Sequence, residues 1–227
     1  MLFFLIKVCY SHVASQASFT SYGVIMNSIK HAQISARRRG GQPSDYIAIH
    51  QFIDNTKNLC SDNRHRIFHT MWAVNEIVLP MFGHVLVNSD GAEVDIKDVC
   101  EKDHLLVDFR HRFIPTIGDF VQAIQGELSV AQKNNIEQFH TNFAQSNPAI
   151  SRLLLSPLAI TGQLKSLLLT HNSWFMLDVI PRVTALEPSK LPITDFQLSG
   201  SAIFEKMAFE LWMDNGNDYP PSARLVH

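Results

Sequence analysis

The sequence predicts a mainly α-helical protein with one small β-hairpin, in which a helical domain is followed by an all-α extension. Apolar residues recur at helical spacing along most of the chain. The segment HVLVNSDGAEVDI instead alternates apolar and polar residues on both sides of Asp90-Gly91, which is typical of a hairpin. With 227 residues, of which 46% are hydrophobic and 18% charged, the chain is long enough to bury a core.

The first part of the chain predicts helices separated by glycine and proline breaks. Their expected ranges are 28–39, 45–59, 62–79, 98–109 and 116–124. Gly40-Gly41 ends the first helix, and Ser44 can cap the second. Thr116 and Asp119 form a plausible capping pair for the last.

From about residue 130 onward, the sequence pattern predicts helices only. Their expected ranges are 130–146, 149–170, 173–186 and 201–213. Arginine and lysine become rarer after Gly126 while leucine and phenylalanine increase, so we place a domain boundary at 126–129. We therefore expect an N-terminal extension outside the fold at 1–25, a histidine-rich helical domain with a hairpin at 26–126, and an all-α region at 127–227. Met26 is a candidate for the natural start.

The charge and cysteine content favour a cytoplasmic protein. The formal net charge is −2, so no general basic field attracts nucleic acid. Cys9, Cys60 and Cys100 are odd in number and form no C-x-x-C motif, which does not suit a disulfide framework. The apolar start MLFFLIKVCY is interrupted by Lys7 and has no preceding positive charge, unlike a signal peptide. No apolar run reaches the ~18 residues of a membrane span.

The segment RHRIFH places His65 and His69 one helical turn apart. If one helix covers 62–79, these histidines share a face with Trp72 and Glu76. The opposite face then carries the apolar side chains Ile67, Met71, Val74 and Val78. The histidine face would point to solvent or to a polar pocket, and Trp72 favours the pocket because an exposed indole is unusual.

The preceding helix carries a second pair with the same spacing, His50 and Asp54. If the two helices pack against each other, the pairs converge, and histidines from neighbouring helices can join them. The candidate metal ligands are His31, His50, Asp54, His65, His69 and His104. Imidazole and carboxylate donors suit a divalent ion such as zinc, manganese or iron, and Glu76 could then act as a general base. The alternative is a set of hydrogen-bonded structural histidines.

A basic group accompanies the histidines. Arg64 and Arg66 flank His65, and arginine recognises phosphate through two hydrogen bonds. An anionic small molecule or nucleic acid is therefore a candidate partner. The alternative is a solvated basic face that includes 37–39, or internal pairing with Asp45, Asp62 and Glu101.

The order of motifs between His31 and Ile124 resembles a small uncharacterised domain family of bacteria and their phages. The resembling stretches are HAQISARRRGGQPSDY, IHQFIDNTK, NRHR, FG, VNSDG, DVCEKDHLLVD and IPTIGDF. The resemblance points to Lys57 as a further phosphate-binding candidate and also to Gly40, Gly41, Asn88, Asp90, Gly91 and Asp108. The family has Leu-Gly before Ile-Pro-Thr, whereas FRHRF stands at 109–113 here.

These patterns support two hypotheses of function. The first is a metal-assisted hydrolase or an enzyme that binds a phosphate-bearing ligand. The second is a non-enzymatic accessory or protein-interaction module. The His-Asp dipeptide of HD-type phosphohydrolases and the G-x-S-x-G nucleophile elbow are both absent from the sequence.

Overall fold

The computed structural model confirms the fold class, because helices dominate and one two-stranded hairpin interrupts them. It describes residues 22–58, 64–143 and 147–184 together with 186, 191, 203–204, 207, 220 and 222–223. The side chains of 22–27, 57 and 58 lie outside this description. Among the described residues, no helix has the length and apolar character needed to cross a membrane.

The first two helices pack side by side. Helix α1 spans Tyr22–Arg39 and so begins before the predicted start at residue 28. Gly40 and Gly41 follow with φ angles of 80° and 71°, a left-handed turn that glycine adopts without strain. Helix α2 spans Pro43–Asp54 with Gln42 at its N-cap, so the prediction that Ser44 caps it is wrong. Proline at the first helical position explains this earlier start.

The single helix predicted over 62–79 is wrong. Helix α3 spans Arg64–Ile67, and α4, Met71–Ala73, continues through a π-helical segment, Val74–Val78, into α5, Leu79–Phe82. Thr70 separates α3 from α4 because its hydroxyl accepts a hydrogen bond from the Ala73 amide and caps the second helix.

This break changes which side chains are buried. His69 and Trp72 are 4% and 6% exposed, whereas Met71 is only partly buried. Ile67, Val74 and Val78 are buried as predicted, but the burial of His69 and Trp72 does not fit the predicted polar face. The helical periodicity does not continue through Thr70, so the two predicted faces do not hold over the whole segment. The π-helical segment then shifts the register again.

The hairpin lies where the sequence predicts it. Strands β1, Val85–Val87, and β2, Glu93–Asp95, are antiparallel, and Leu86 pairs with Val94. Helix α6, Ile96–Asp98, follows at once and continues through a π-helical segment, Val99–Leu105, into α7, Leu106–Asp108.

Helix α8, Ile117–Ala123, has the predicted capping box. The Thr116 hydroxyl accepts from the Asp119 amide, and the Asp119 carboxylate accepts from the Thr116 amide.

The rest of the described chain is helical. Its elements are α9, Val130–Asn142; α10, Pro148–Thr161; a 3-10 helix, Leu164–Leu169; a π-helical segment, Phe175–Val179; and α11, Ile180–Thr184. The helix predicted over 149–170 divides at Gly162, which has a φ of 67°. Most of the predicted 201–213 helix lies outside the described residues.

One hydrophobic cluster extends across the predicted boundary at 126–129. Ile77 and Val121 from the first part belong to the same buried cluster as Leu154 and Phe175 from the second. Polar contacts join the two parts as well, since the Trp72 indole N–H donates to the Ser156 hydroxyl at 2.8 Å. Packing against the second part thus helps to hold the segments around Trp72 in place.

Candidate metal centre

Four side chains from different segments bring their donor atoms together. Asp54 ends α2, His69 lies in the turn after α3, His104 lies in the Val99–Leu105 segment, and Asp108 ends α7. One donor atom from each lies within 4.8 Å of the donors of the other three. We call these four residues the His/Asp cluster.

The individual distances are short and similar to one another. Nε2 of His69 lies 3.3 Å from Nε2 of His104, 3.5 Å from Oδ1 of Asp54 and 3.0 Å from Oδ2 of Asp108. Nε2 of His104 lies 3.7 Å from the same Asp54 oxygen and 3.6 Å from the same Asp108 oxygen. The four donors therefore surround a single point.

In His69 and His104, the hydrogen bond made by Nδ1 determines whether Nε2 directs a lone pair or a proton toward the centre of the cluster. Nδ1 of His69 lies 3.1 Å from the His65 carbonyl oxygen, which can only accept, so Nδ1 carries the proton. Nδ1 of His104 lies 3.0 Å from Nδ1 of His50, and Nε2 of His50 lies 2.9 Å from the Ser35 hydroxyl. A chain in which His104 donates to His50 and His50 donates to Ser35 satisfies every group and directs the Nε2 lone pair of His104 inward.

The two carboxylates are also held from outside the cluster. The Ser28 hydroxyl donates to Oδ2 of Asp54 at 2.9 Å. Nε2 of His31 lies 3.0 Å from Oδ1 of Asp108, while its Nδ1 donates to the Asp103 carbonyl at 2.9 Å. The His31 ring also stacks on His104 with a centroid separation of 4.1 Å. Such outer contacts orient metal ligands in known metal sites.

Burial and neighbouring charges favour the protonation states that bind metals. Burial, followed by the charges of His31 and His69, holds the pKa of His104 well below its usual value. Burial, followed by the charge of His31, lowers the pKa of His50 to about 3. Burial alone would raise the pKa of Asp108, but the close contacts of its carboxylate with the His31 and His69 rings outweigh this effect and hold that pKa below its usual value. At neutral pH His104 is therefore neutral and Asp108 is ionised.

A buried ion-pair group fixes the segment that carries His104. The Asp103 carboxylate is fully buried and accepts from Nη1 of Arg38 at 2.9 Å and from Nε of Arg39 at 2.5 Å. Nη2 of Arg39 also donates to the Asp98 carbonyl at 2.9 Å. Two of the three consecutive arginines in α1 therefore pair with a buried carboxylate, although with other partners than the sequence indicated.

The structure brings some of the predicted metal ligands together and separates others. Asp54, His69 and His104 belong to the His/Asp cluster, whereas His31 and His50 contact it from behind. His65 contributes its backbone carbonyl, and its ring centroid lies 6.0 Å from that of His69.

Asp108 was not among the ligands expected from the histidine pattern, although the family resemblance pointed to it. It stands four residues after His104, and this i,i+4 spacing is the sequence feature that could have identified it. Glu76, the predicted base, lies half-buried in the Val74–Val78 segment, and no hydrogen bond or ion pair links it to the cluster within the described residues.

None of the predicted phosphate-binding residues has a described contact with the His/Asp cluster. The Arg64 guanidinium stacks 5.7 Å from the Trp174 ring centroid and 5.9 Å from that of Phe204, so it packs on aromatic side chains of the second part of the chain. Arg66 is half-buried, and the side chain of Lys57 is outside the described residues.

Other residues of the family-like motifs have structural contacts. The Asn88 side-chain amide donates to the Arg39 carbonyl at 3.1 Å and to the Tyr46 hydroxyl at 3.2 Å. The Gly41 amide donates to the Asp90 carboxylate at 2.5 Å. These bonds fasten the hairpin to the turn between α1 and α2.

The site and fold define a small helical domain with a buried His/Asp cluster. Residues 26–129, which contain all four cluster residues, match the family model described as a domain of unknown function, DUF6915. This match confirms the resemblance to a small uncharacterised domain, while the bacterial and phage association stays a prediction. No curated protein and no solved structure matches the chain.

Proposed function

We propose that the domain binds one divalent transition-metal ion, with zinc as the preferred ion, through the His/Asp cluster. The ligand atoms would be Oδ1 of Asp54, Nε2 of His69, Nε2 of His104 and Oδ2 of Asp108. Manganese and iron accept the same donor types and are the alternatives.

The distances between donor atoms carry the proposal. Zinc binds histidine nitrogen and carboxylate oxygen at about 2.0–2.2 Å in a tetrahedron, whose edges are then about 3.3–3.6 Å long. Five donor pairs in the cluster lie between 3.0 and 3.7 Å apart. The donors therefore require only small movements to coordinate one ion.

The charge of the cluster supports the same assignment. The carboxylates of Asp54 and Asp108 converge in a largely buried position, where a divalent cation would neutralise the negative charge that they carry when ionised. The side chains of Asp54 and His104 are 2% and 0% exposed. His104 can reach the ion as a neutral ligand without first losing a proton at neutral pH.

The site supports metal-assisted hydrolysis as the activity. The side chain of Asp108 is 27% exposed, whereas that of His69 is 5% exposed, so one edge of the centre reaches solvent. A bound ion would supply Lewis-acid stabilisation to an anionic oxygen arriving at this edge. His31 would hold the outer oxygen of Asp108 and keep the inner oxygen directed at the centre.

A non-enzymatic accessory module is the second candidate. Structural zinc sites have four protein ligands, whereas catalytic zinc sites have three and an open position. The four donors of the cluster favour a structural ion by this criterion. Hydrolysis would require Asp108 to give way to the substrate.

Two measurements test the proposal. Protein purified without added metal should contain about one zinc per chain by elemental analysis, and His69→Ala and Asp54→Asn should each lose it. Zinc-loaded protein and His69→Ala should then be compared for hydrolysis of phosphate monoesters and diesters. Absence of metal in the unaltered protein, even after zinc is supplied, would refute the metal centre, whereas metal without hydrolysis would favour the accessory module.

A further inference from the structure

The turn that follows Asp108 has an unusual backbone. Arg110 and His111 have φ angles of 55° and 57°, and they are the non-glycine residues with positive φ in the described part of the chain. Side chains other than glycine are strained in this left-handed conformation. Two strained residues therefore stand within three positions of a proposed metal ligand.

Hydrogen bonds show why this turn normally takes glycine. The His111 amide donates to the Leu106 carbonyl at 2.6 Å, and the Arg110 amide donates to the Val107 carbonyl at 3.0 Å. This pair of bonds defines a Schellman helix end in which Arg110 occupies the left-handed position that glycine usually fills. The turn closes α7 directly after Asp108.

The guanidinium charge at this turn has no ion-pair partner in the described part of the chain. Arg110 and His111 are both exposed, and neither forms an ion pair with the residues that the structure describes. Arg38 and Arg39, by contrast, are bound to buried Asp103. A cation at a helix end gains from the helix dipole, but this gain does not require arginine at the strained position itself.

We infer that Arg110 and His111 recognise the phosphate group of a ligand that approaches the solvent-exposed edge of the metal centre. This inference rests on the proposed metal centre and names the class of ligand it takes. Asp108 is the exposed member of the cluster, and Arg110 and His111 are exposed residues that follow it directly after Phe109, so a ligand oxygen that reaches the ion past Asp108 comes close to the turn that carries these two side chains. Arginine suits phosphate because its guanidinium donates two parallel hydrogen bonds.

Strain is retained in proteins where function requires it. If Arg110 and His111 only completed the fold, glycine would serve better at both positions. Glycine at both positions should therefore stabilise the protein and, at the same time, weaken its binding of phosphate.

The test is calorimetric titration of inorganic phosphate into the zinc-loaded full chain. Arg110→Gly/His111→Gly should bind phosphate at least about tenfold more weakly, as expected for loss of a charge-assisted hydrogen bond. Its Tm should rise, and its zinc content should be unchanged. Arg37→Ala is the matched control, since Arg37 is also exposed and, within the described residues, its side chain donates to the Gln33 carbonyl of its own helix.

Three results would overturn the inference. They are a failure of the unaltered protein to bind phosphate, equal phosphate affinity in the glycine variant, and an equal loss of affinity in Arg37→Ala. Zinc content is measured separately, so a protein that lacks zinc refutes the metal centre itself and is distinguishable from one that holds zinc but ignores phosphate.

Discussion

Nε2 of His69 and Nε2 of His104 lie 3.3 Å apart, although 35 residues separate the two histidines in sequence. The other nitrogen of His69 already donates to a backbone carbonyl. Two inward lone pairs at this distance repel each other unless a proton or a cation lies between them. Since both side chains are almost fully buried, this arrangement has an electrostatic cost that a bound cation would remove.

Replacement of single histidines should separate the residues that bind the ion from their neighbours. His69→Ala and His104→Ala should each reduce zinc content to near zero, because each removes one of four ligands. His65→Ala should keep its zinc, since His65 reaches His69 through its backbone carbonyl. Elemental analysis of the three purified variants gives the answer. Loss of zinc in His65→Ala with retention in His69→Ala would mean that the ligand set is wrong.

The buried Asp103 should matter far more to stability than the nearby Asp98. Asp103→Ala leaves two arginines without their shared buried partner and should cost about 3 kcal/mol or more. The Asp98 side chain is 38% exposed and pairs with exposed Lys102, so Asp98→Ala should cost less than about 1 kcal/mol. Urea unfolding of both variants measures the difference. Equal costs would show that Asp103 does not anchor the Val99–Leu105 segment.

Local patterns were sufficient to predict the hairpin and the capping box of α8. Asp90-Gly91 and the Thr116/Asp119 pair are local devices whose hydrogen bonds involve residues close in sequence. The i,i+4 spacing of Asp54 to His50 likewise indicated that Asp54 lies near the histidines, while its role as a metal ligand stays a proposal. These features depend little on distant parts of the chain.

Local patterns could not predict in the same way which side chains after Arg64 are buried. The polar pocket inferred for Trp72 is in fact a buried contact with Ser156, a partner 84 residues away that no local pattern indicates. Thr70 ends one helix and caps the next, so the periodicity on the two sides is unrelated. The direction of the His69 ring also depends on this break, because His69 lies in the turn before Thr70 and its Nε2 there reaches Nε2 of His104.

Two glycines with positive φ angles should respond differently to alanine. Gly41 and Gly83 have φ angles of 71° and 85°, so alanine is strained at both. A Cβ on Gly41 would also meet the Asp45 carboxylate and the Asn88 side chain, whereas a Cβ on Gly83 meets nothing within 4 Å. Gly83→Ala should cost about 1–3 kcal/mol, and Gly41→Ala should cost more because its new Cβ also collides with neighbouring side chains. Thermal unfolding compares them, and a smaller cost for Gly41→Ala would contradict the close packing of the hairpin against this turn.

A second histidine pair, in the latter part of the chain, should make stability depend on pH. Nε2 of His140 lies 2.9 Å from Nε2 of His171, and Nδ1 of His171 donates to the Leu167 carbonyl at 3.0 Å. Burial, followed by the charge of His140, lowers the pKa of His171 to about 3. Burial lowers the pKa of His140 as well.

The unfolded chain therefore takes up a proton on His171 near pH 6.5, whereas the folded protein does so only near pH 3. Its contribution to the free energy of unfolding is complete above about pH 6.5 and is lost as the pH falls toward 3, by up to about 1.4 kcal/mol per pH unit. His171→Gln should reduce the slope of stability against pH between 7 and 5 by about 0.7 proton on average, whatever its effect at pH 7. Urea unfolding at pH 7, 6 and 5 measures the slope, with His84→Gln as the control because His84 is exposed. An unchanged slope in His171→Gln would show that His171 can be charged in the folded protein.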